Sequence, residues 1–175
     1  MLRPYLYFLS LSLGLCAYSQ SPIHESLDTL NVGSIAYIQP QDLKTLDGIV
    51  VLDTREKAEF EVSHLKNAIW AGYSDFELKR IKSLLPKKTS TIVVYCSIGA
   101  RSEDIGEKLE QAGYKNIKNL FGGIFLWKNL GYPVFDGEER ETEKVHAFSK
   151  EWGAFLTNGN KVYTTKNDTL EYKKN

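Results

Sequence analysis

Two short runs rich in β-branched residues, Ile49-Val50-Val51-Leu52 and Thr91-Ile92-Val93-Val94-Tyr95, limit this chain to few architectures. Apolar runs without polar alternation fit strands buried on both faces, and such strands belong to parallel sheets covered by helices. Ala68-Ile69-Trp70 is a weaker strand candidate, and Tyr114 to Leu120 is another. Helical patterns separate them. Leu78, Ile81 and Leu85 share one face behind Ser74 and Glu77, which are spaced as a capping box, and Pro86 is the stop. Ile105, Leu109 and Ala112 form a second stripe ended by Gly113. Gly123 to Leu130 reads as a short helix with Ile124, Trp127 and Leu130 facing inward, closed by Gly131 and Pro133. Strands alternating with helices predict an α/β fold, with a parallel central sheet flanked by helices on both faces.

The 175 residues suffice for one domain with spare chain at each end. With 42% hydrophobic and 25% charged residues, the chain is neither a polytopic membrane protein nor wholly disordered. Basic and acidic residues number 22 each, so no basic excess is present to hold nucleic acid. Residues 1–19 have Arg3, an uncharged apolar core from Tyr5 to Leu15, and small residues Ala17 and Ser19, the pattern of a secretory signal peptide. The apolar core is shorter than the roughly 20 residues a stable membrane span needs. The expected location is therefore periplasmic or secreted, with a lipid anchor through Cys16 as the alternative. Residues 20–33 read as a flexible lead-in, 34–136 as the α/β domain and 137–175 as a C-terminal extension. In the extension, Val145, Phe148, Trp152 and Phe155 recur at helical spacing and predict an amphipathic helix packed back on the domain. Lys161-Val162-Tyr163 reads as a short edge strand and the remaining tail as mobile; Asn167-Asp168-Thr169 matches a glycosylation triplet.

Two cysteines, Cys16 and Cys96, exclude a disulfide framework and a four-cysteine zinc site. The histidines His24, His64 and His146 are scattered, which argues against a metal centre; His64 reads as structural, and Asp53 with Arg55 as a local ion pair. Removal of the leader leaves Cys96 as the only thiol. It directly follows the run Thr91–Tyr95, and Cys96-Ser97-Ile98-Gly99-Ala100-Arg101-Ser102 leads into a helical stretch. Ligands of parallel α/β sheets sit beyond the carboxyl ends of the strands, so a cysteine there is expected to be exposed in a crevice. A short loop bearing Gly99 can turn its N–H groups inward as an anion-binding nest, the following helix adds its positive end, and Arg101 adds a cation. All three favour a thiolate, the reactive form of cysteine.

Together these residues resemble a known family. Cys96-x4-Arg101 after a strand is similar to the active-site loop of rhodanese (sulfurtransferase) domains. Asp53-Thr54-Arg55 with Glu59-Phe60, then Ser63-His64-Leu65-Lys66-Asn67-Ala68, then Gly122-Gly123-Ile124-x-x-Trp127 with Gly131-Tyr132-Pro133-Val134, resemble three further segments of that family in the same order. Ser63 and Asn67 stand where the family usually has glycine. The extension Lys144-Val145-His146…Trp152 resembles that of secreted single-domain bacterial members.

The resemblance implies a thiosulfate sulfurtransferase-like enzyme. Cys96 would take a sulfane sulfur from a small-molecule donor such as thiosulfate, hold it as a persulfide, and pass it to a thiol or cyanide. Backbone N–H groups of Ser97, Ile98, Gly99, Ala100, Arg101 and Ser102 would cradle the sulfur. Arg101 would orient the loop or an anionic donor. No metal or organic cofactor is implied, since the cysteine is the carrier. Ser97 is uncharged, which offers less charge to thiosulfate and keeps a protein persulfide open as donor. Two other readings remain: a non-enzymatic binding or redox-sensing module, and a phosphatase or arsenate reductase. The latter's relatives have five residues between cysteine and arginine, against four here.

Overall fold

The structure, a computed structural model, describes residues 22–85 and 87–163. The predicted leader with Cys16, Pro86, the tail expected to be mobile after Tyr163 and its triplet Asn167-Asp168-Thr169 lie outside the described residues. No helix among the described residues is long and apolar enough to cross a membrane. In chain order the elements are α1 (Pro22–Leu30), β1 (Tyr37–Ile38), α2 (Pro40–Leu43), β2 (Val50–Asp53), α3 (Lys57–Val62), β3 (Ile69–Trp70), α4 (Leu78–Leu84) and β4 (Thr91–Tyr95). They continue with α5 (Ala100–Gln111), β5 (Asn116–Leu120), α6 (Gly123–Asn129), β6 (Val134–Phe135), β7 (Glu141–Thr142), β8 (Lys144–His146), α7 (Lys150–Gly153) and β9 (Asn160–Val162).

Five strands form a parallel sheet in the order β1-β5-β4-β2-β3. β4 is central and its alternate residues feed two cores. Val93 and Tyr95 join Ile23, Leu27, Leu43, Ile124 and Phe125 on one side. Ile92 and Val94 join Ile81, Leu85, Ile105 and Leu109 on the other. Both faces of β4 are thus dry, as its unbroken apolar run requires.

Several local expectations are corrected. The lead-in contains a helix, α1, whose Ile23 and Leu27 are buried in the core. Only two inward residues carry its packing, too few to stand out as a period in the sequence. Ser74 does not cap α4; its hydroxyl donates to Glu56 Oε1 at 2.7 Å instead. The capping box that forms belongs to α3, where the Glu56 and Glu59 side chains exchange bonds with each other's backbone. Leu130 is 40% exposed, because α6 ends at Asn129 and Phe125 turns inward in its place.

The predicted amphipathic helix of the extension is a strand, a turn and one short helix. Val145 lies in β8, which pairs in parallel with β9. Phe148 has φ 62°, which no helix accommodates. α7 starts only at Lys150, after Ser149 Oγ has accepted the Trp152 N–H at 3.3 Å. Spacing of three and four residues therefore reflected burial without helix: Val145, Ala147 and Leu156 enter the domain's core, and Trp152 and Phe155 pack against it. The extension is fixed to the end of α6. Asn129 Nδ2 donates to the Phe155 carbonyl, and Asn129 Oδ1 accepts from the N–H groups of Thr157 and Asn158.

Candidate active site

β4 ends at Tyr95 and presents Cys96 at the carboxyl edge of the sheet, with Ser97, Ile98 and Gly99 forming the turn into α5. Neighbouring elements hold the carbonyls of this turn. Ile124 N–H donates to the Cys96 carbonyl and Phe125 N–H to that of Ser97, each at 3.0 Å. The Gly99 carbonyl accepts from Asn31 Nδ2 at 3.0 Å and from Asn119 Nδ2 at 2.7 Å. On the inner side, the Gly99 N–H donates to Cys96 Sγ at 3.1 Å. Gly99 has φ 122°, a conformation open to glycine and strained for other residues. Gly123 is required for space: a Cβ there would stand 2.3 Å from the Cys96 carbonyl oxygen. The 12-residue α5 begins directly after this turn, so its positive end faces the thiol.

Arg101 does not face the thiol as a free cation. Its guanidinium forms a two-pronged pair with Glu59, Nη1 to Oε2 at 2.7 Å and Nη2 to Oε1 at 2.9 Å. Nη2 also donates to Ser97 Oγ at 3.0 Å. Burial pushes the Glu59 carboxyl up, but the Arg101 charge and its hydrogen bonds outweigh this and hold it at about 2. Burial likewise opposes the Arg101 charge, and Glu59 overcomes it, so the arginine's pKa is raised. The pair is ionised and locally neutral. The Phe148 ring stacks over the guanidinium with its centroid 5.0 Å away.

Cys96 is buried, 1% exposed, which corrects the expectation of a cysteine open in a crevice. It forms the floor of a cleft of about 260 Å³ lined by Leu30, Cys96, Ser97, Ile98, Ala100, Arg101, Phe148 and Trp152. The walls that enclose it come from α1 and from the C-terminal extension. Of the loop residues singled out in the sequence, Ser97, Ile98, Ala100 and Arg101 line this space, and Gly99 bonds the sulfur. The Ser102 side chain turns away and donates to Asn119 Oδ1 at 2.7 Å.

Glu59, the partner of Arg101, is not marked as such by the sequence, although it stands in a segment shared with the family. Leu30, Phe148 and Trp152 are likewise not marked as walls. The aromatic spacing of the extension is a signal for these walls, although packing on the domain is its favoured reading over a partner site. The residues read as structural have their partners within the fold. Asp53 and Arg55 are fully buried and paired at 2.6 Å. His64 stacks on Phe60 and bonds Glu139 Oε1 at 3.0 Å.

Fold and loop together define a class, and sequence comparison agrees with it. The Rhodanese-like domain model matches residues 39–130, and the chain belongs to that family. It is similar to thiosulfate sulfurtransferase GlpE of Coxiella burnetii, 27% identical over 105 residues, which are 60% of this chain and 94% of the relative. It is also similar to tRNA uridine(34) hydroxylase of Cytophaga hutchinsonii, 28% identical over 131 residues, which are 72% of this chain and 39% of the relative. Among solved structures it resembles a rhodanese-related protein of Thermoplasma volcanium, with 34% identity and a TM-score of 0.50 over 57% of this chain and 96% of that one. The chain spans about half the length, or less, of several curated relatives it matches.

Proposed function

We propose that this protein is a sulfurtransferase that carries sulfane sulfur on Cys96. The observation that supports this most is the placement of Cys96: at the floor of a cleft, at the carboxyl end of β4, with its Sγ accepting the Gly99 N–H and the N-terminus of α5 beside it. Donors that fix a hydrogen bond on sulfur and a helix end behind it stabilise negative charge there. The Cys96 thiolate attacks the outer sulfur of a donor. The donor's sulfur–sulfur bond breaks with its electron pair leaving on the departing group, which is sulfite when the donor is thiosulfate. Cys96 is left as a persulfide. A thiol or cyanide then attacks the terminal sulfur and restores the thiolate. Export rests on the pattern of residues 1–19 and is part of the same proposal.

Intact mass spectrometry after incubation with sulfane donors tests the reading. A gain of one sulfur atom, absent in Cys96→Ser and removed by cyanide, is expected. No gain with any donor overturns it and leaves a non-enzymatic binding module ahead.

A further inference from the structure

Resting on that sulfurtransferase reading, we infer that the cleft is built for organic sulfane-sulfur donors with an apolar body, and that Phe148 and Trp152, with Leu30, set this preference. The first ground is charge. The cation beside Cys96 is already neutralised by Glu59, which is buried and ionised. An incoming dianion such as thiosulfate would meet a paired arginine whose carboxylate partner repels it. An organic donor carries a single negative charge on its terminal sulfur, which the Gly99 N–H and the α5 N-terminus are placed to receive.

The second ground is the wall. Leu30, Ile98, Ala100, Phe148 and Trp152 give the cleft an apolar lining. Leu30, Phe148 and Trp152 all lie outside the residues 39–130 shared with the family. This wall is held in place by its own bonds. Phe148 keeps its left-handed backbone while its N–H donates to His146 Nδ1 at 3.2 Å and its ring covers Arg101. Trp152 is set by the Ser149 cap and packs on Phe155. The size also fits: an apolar cavity of about 150 Å³ accepts a benzene ring, and this cleft holds about 260 Å³.

The transfer balances without a further reactant. An organic persulfide, R–S–S⁻, reacts with the Cys96 thiolate to give R–S⁻ and the Cys96 persulfide. A thiosulfonate, R–SO₂–S⁻, gives the sulfinate R–SO₂⁻ and the same persulfide. One sulfur–sulfur or sulfonyl–sulfur bond breaks with its electron pair on the leaving group, and one sulfur–sulfur bond forms.

The test compares benzenethiosulfonate with methanethiosulfonate, which share charge and reacting atoms and differ in the apolar body. Sulfur loading on Cys96 is followed by intact mass, and the ratio of the two second-order rate constants is divided by the same ratio for N-acetylcysteine in solution. The wild-type protein is expected to favour the benzene donor by about tenfold or more after this correction. Phe148→Gly, which suits the local backbone, and Trp152→Ala should each bring the corrected ratio down severalfold. A corrected ratio near one in the wild-type protein overturns the inference while leaving the sulfurtransferase reading intact, and that result needs no variant to fold. A wild-type preference that both variants leave unchanged overturns the assignment to Phe148 and Trp152. No loading from either donor or from thiosulfate overturns the sulfurtransferase reading, and this inference with it.

Discussion

Two buried arginine–carboxylate pairs stand near the carboxyl end of the sheet, and they are put to different uses. Arg55 is enclosed on every side. It bonds Asp53 through Nε and Nη2, donates to the Ser63 carbonyl, and shares Asp53 with the Tyr95 hydroxyl, which donates to Oδ2 at 2.6 Å. Arg101 pairs with Glu59 just as closely, yet one of its faces meets the Phe148 ring and the cleft over Cys96. The chemistry of the two pairs is the same; their surroundings separate a brace between strands and loops from a group that shapes a binding space. A buried ion pair by itself is therefore weak evidence of catalysis, and what the free face touches is the informative observation.

The contrast can be broken at either pair. Asp53→Ala leaves Arg55 charged and enclosed without its partner, and is expected to cost about 4 kcal/mol. Urea denaturation should show this as the largest loss of the series, with little folded protein left at 37 °C. Gly123→Ala strikes the loop rather than either pair. Its Cβ meets the Cys96 and Ser97 carbonyl oxygens, at an expected cost of about 3 kcal/mol. Sulfur loading on Cys96 should fall by more than tenfold in the fraction that remains folded, measured by intact mass.

Glu59→Gln keeps the shape of the second pair and removes its negative charge, at an expected cost of about 2 kcal/mol. With Arg101 no longer cancelled, loading by thiosulfate should rise relative to benzenethiosulfonate. The same residue gives an acid signature. The folded Glu59 carboxyl sits at about 2 against an ordinary 4.5. Its contribution to stability is complete above about pH 4.5 and is lost as pH falls toward 2. Melting temperatures between pH 5 and 2 should fall less steeply in Glu59→Gln than in the wild-type protein.

His146→Ala removes the acceptor of the Phe148 N–H and should cost about 1 kcal/mol. Burial depresses the pKa of His146 below its ordinary 6.5. This contribution too is present above that value and lost as pH falls through the folded one, so the variant's deficit should shrink in acid.

What could be read from the sequence follows from how local each signal is. The strand Thr91–Tyr95 was legible to the residue because an unbroken β-branched run has one explanation, burial on both faces of a sheet. The loop at Cys96 was legible because cysteine, glycine and arginine lie within a single turn. The pairing of Glu59 with Arg101 spans two elements and left no periodic trace. The cleft walls were the least legible. Leu30 and Phe148 line one cleft only because α1 and the extension both reach the Cys96 loop, and the left-handed backbone at Phe148 falls on a residue that disfavours it. The capping box was misplaced for a similar reason. Ser74 has the right neighbours in sequence, but Glu56 reaches its hydroxyl from another part of the chain.

The internal cancellation of Arg101 by Glu59 also governs how molecules arrive. Among the described residues, the one cation that lines the cleft is already paired, so it projects little field into solvent, and ionic strength should barely alter the encounter rate of charged reactants. Selection must then act after arrival, through the time each molecule remains seated against Phe148 and Trp152. A site of this kind sorts its reactants by dwell time rather than by attraction.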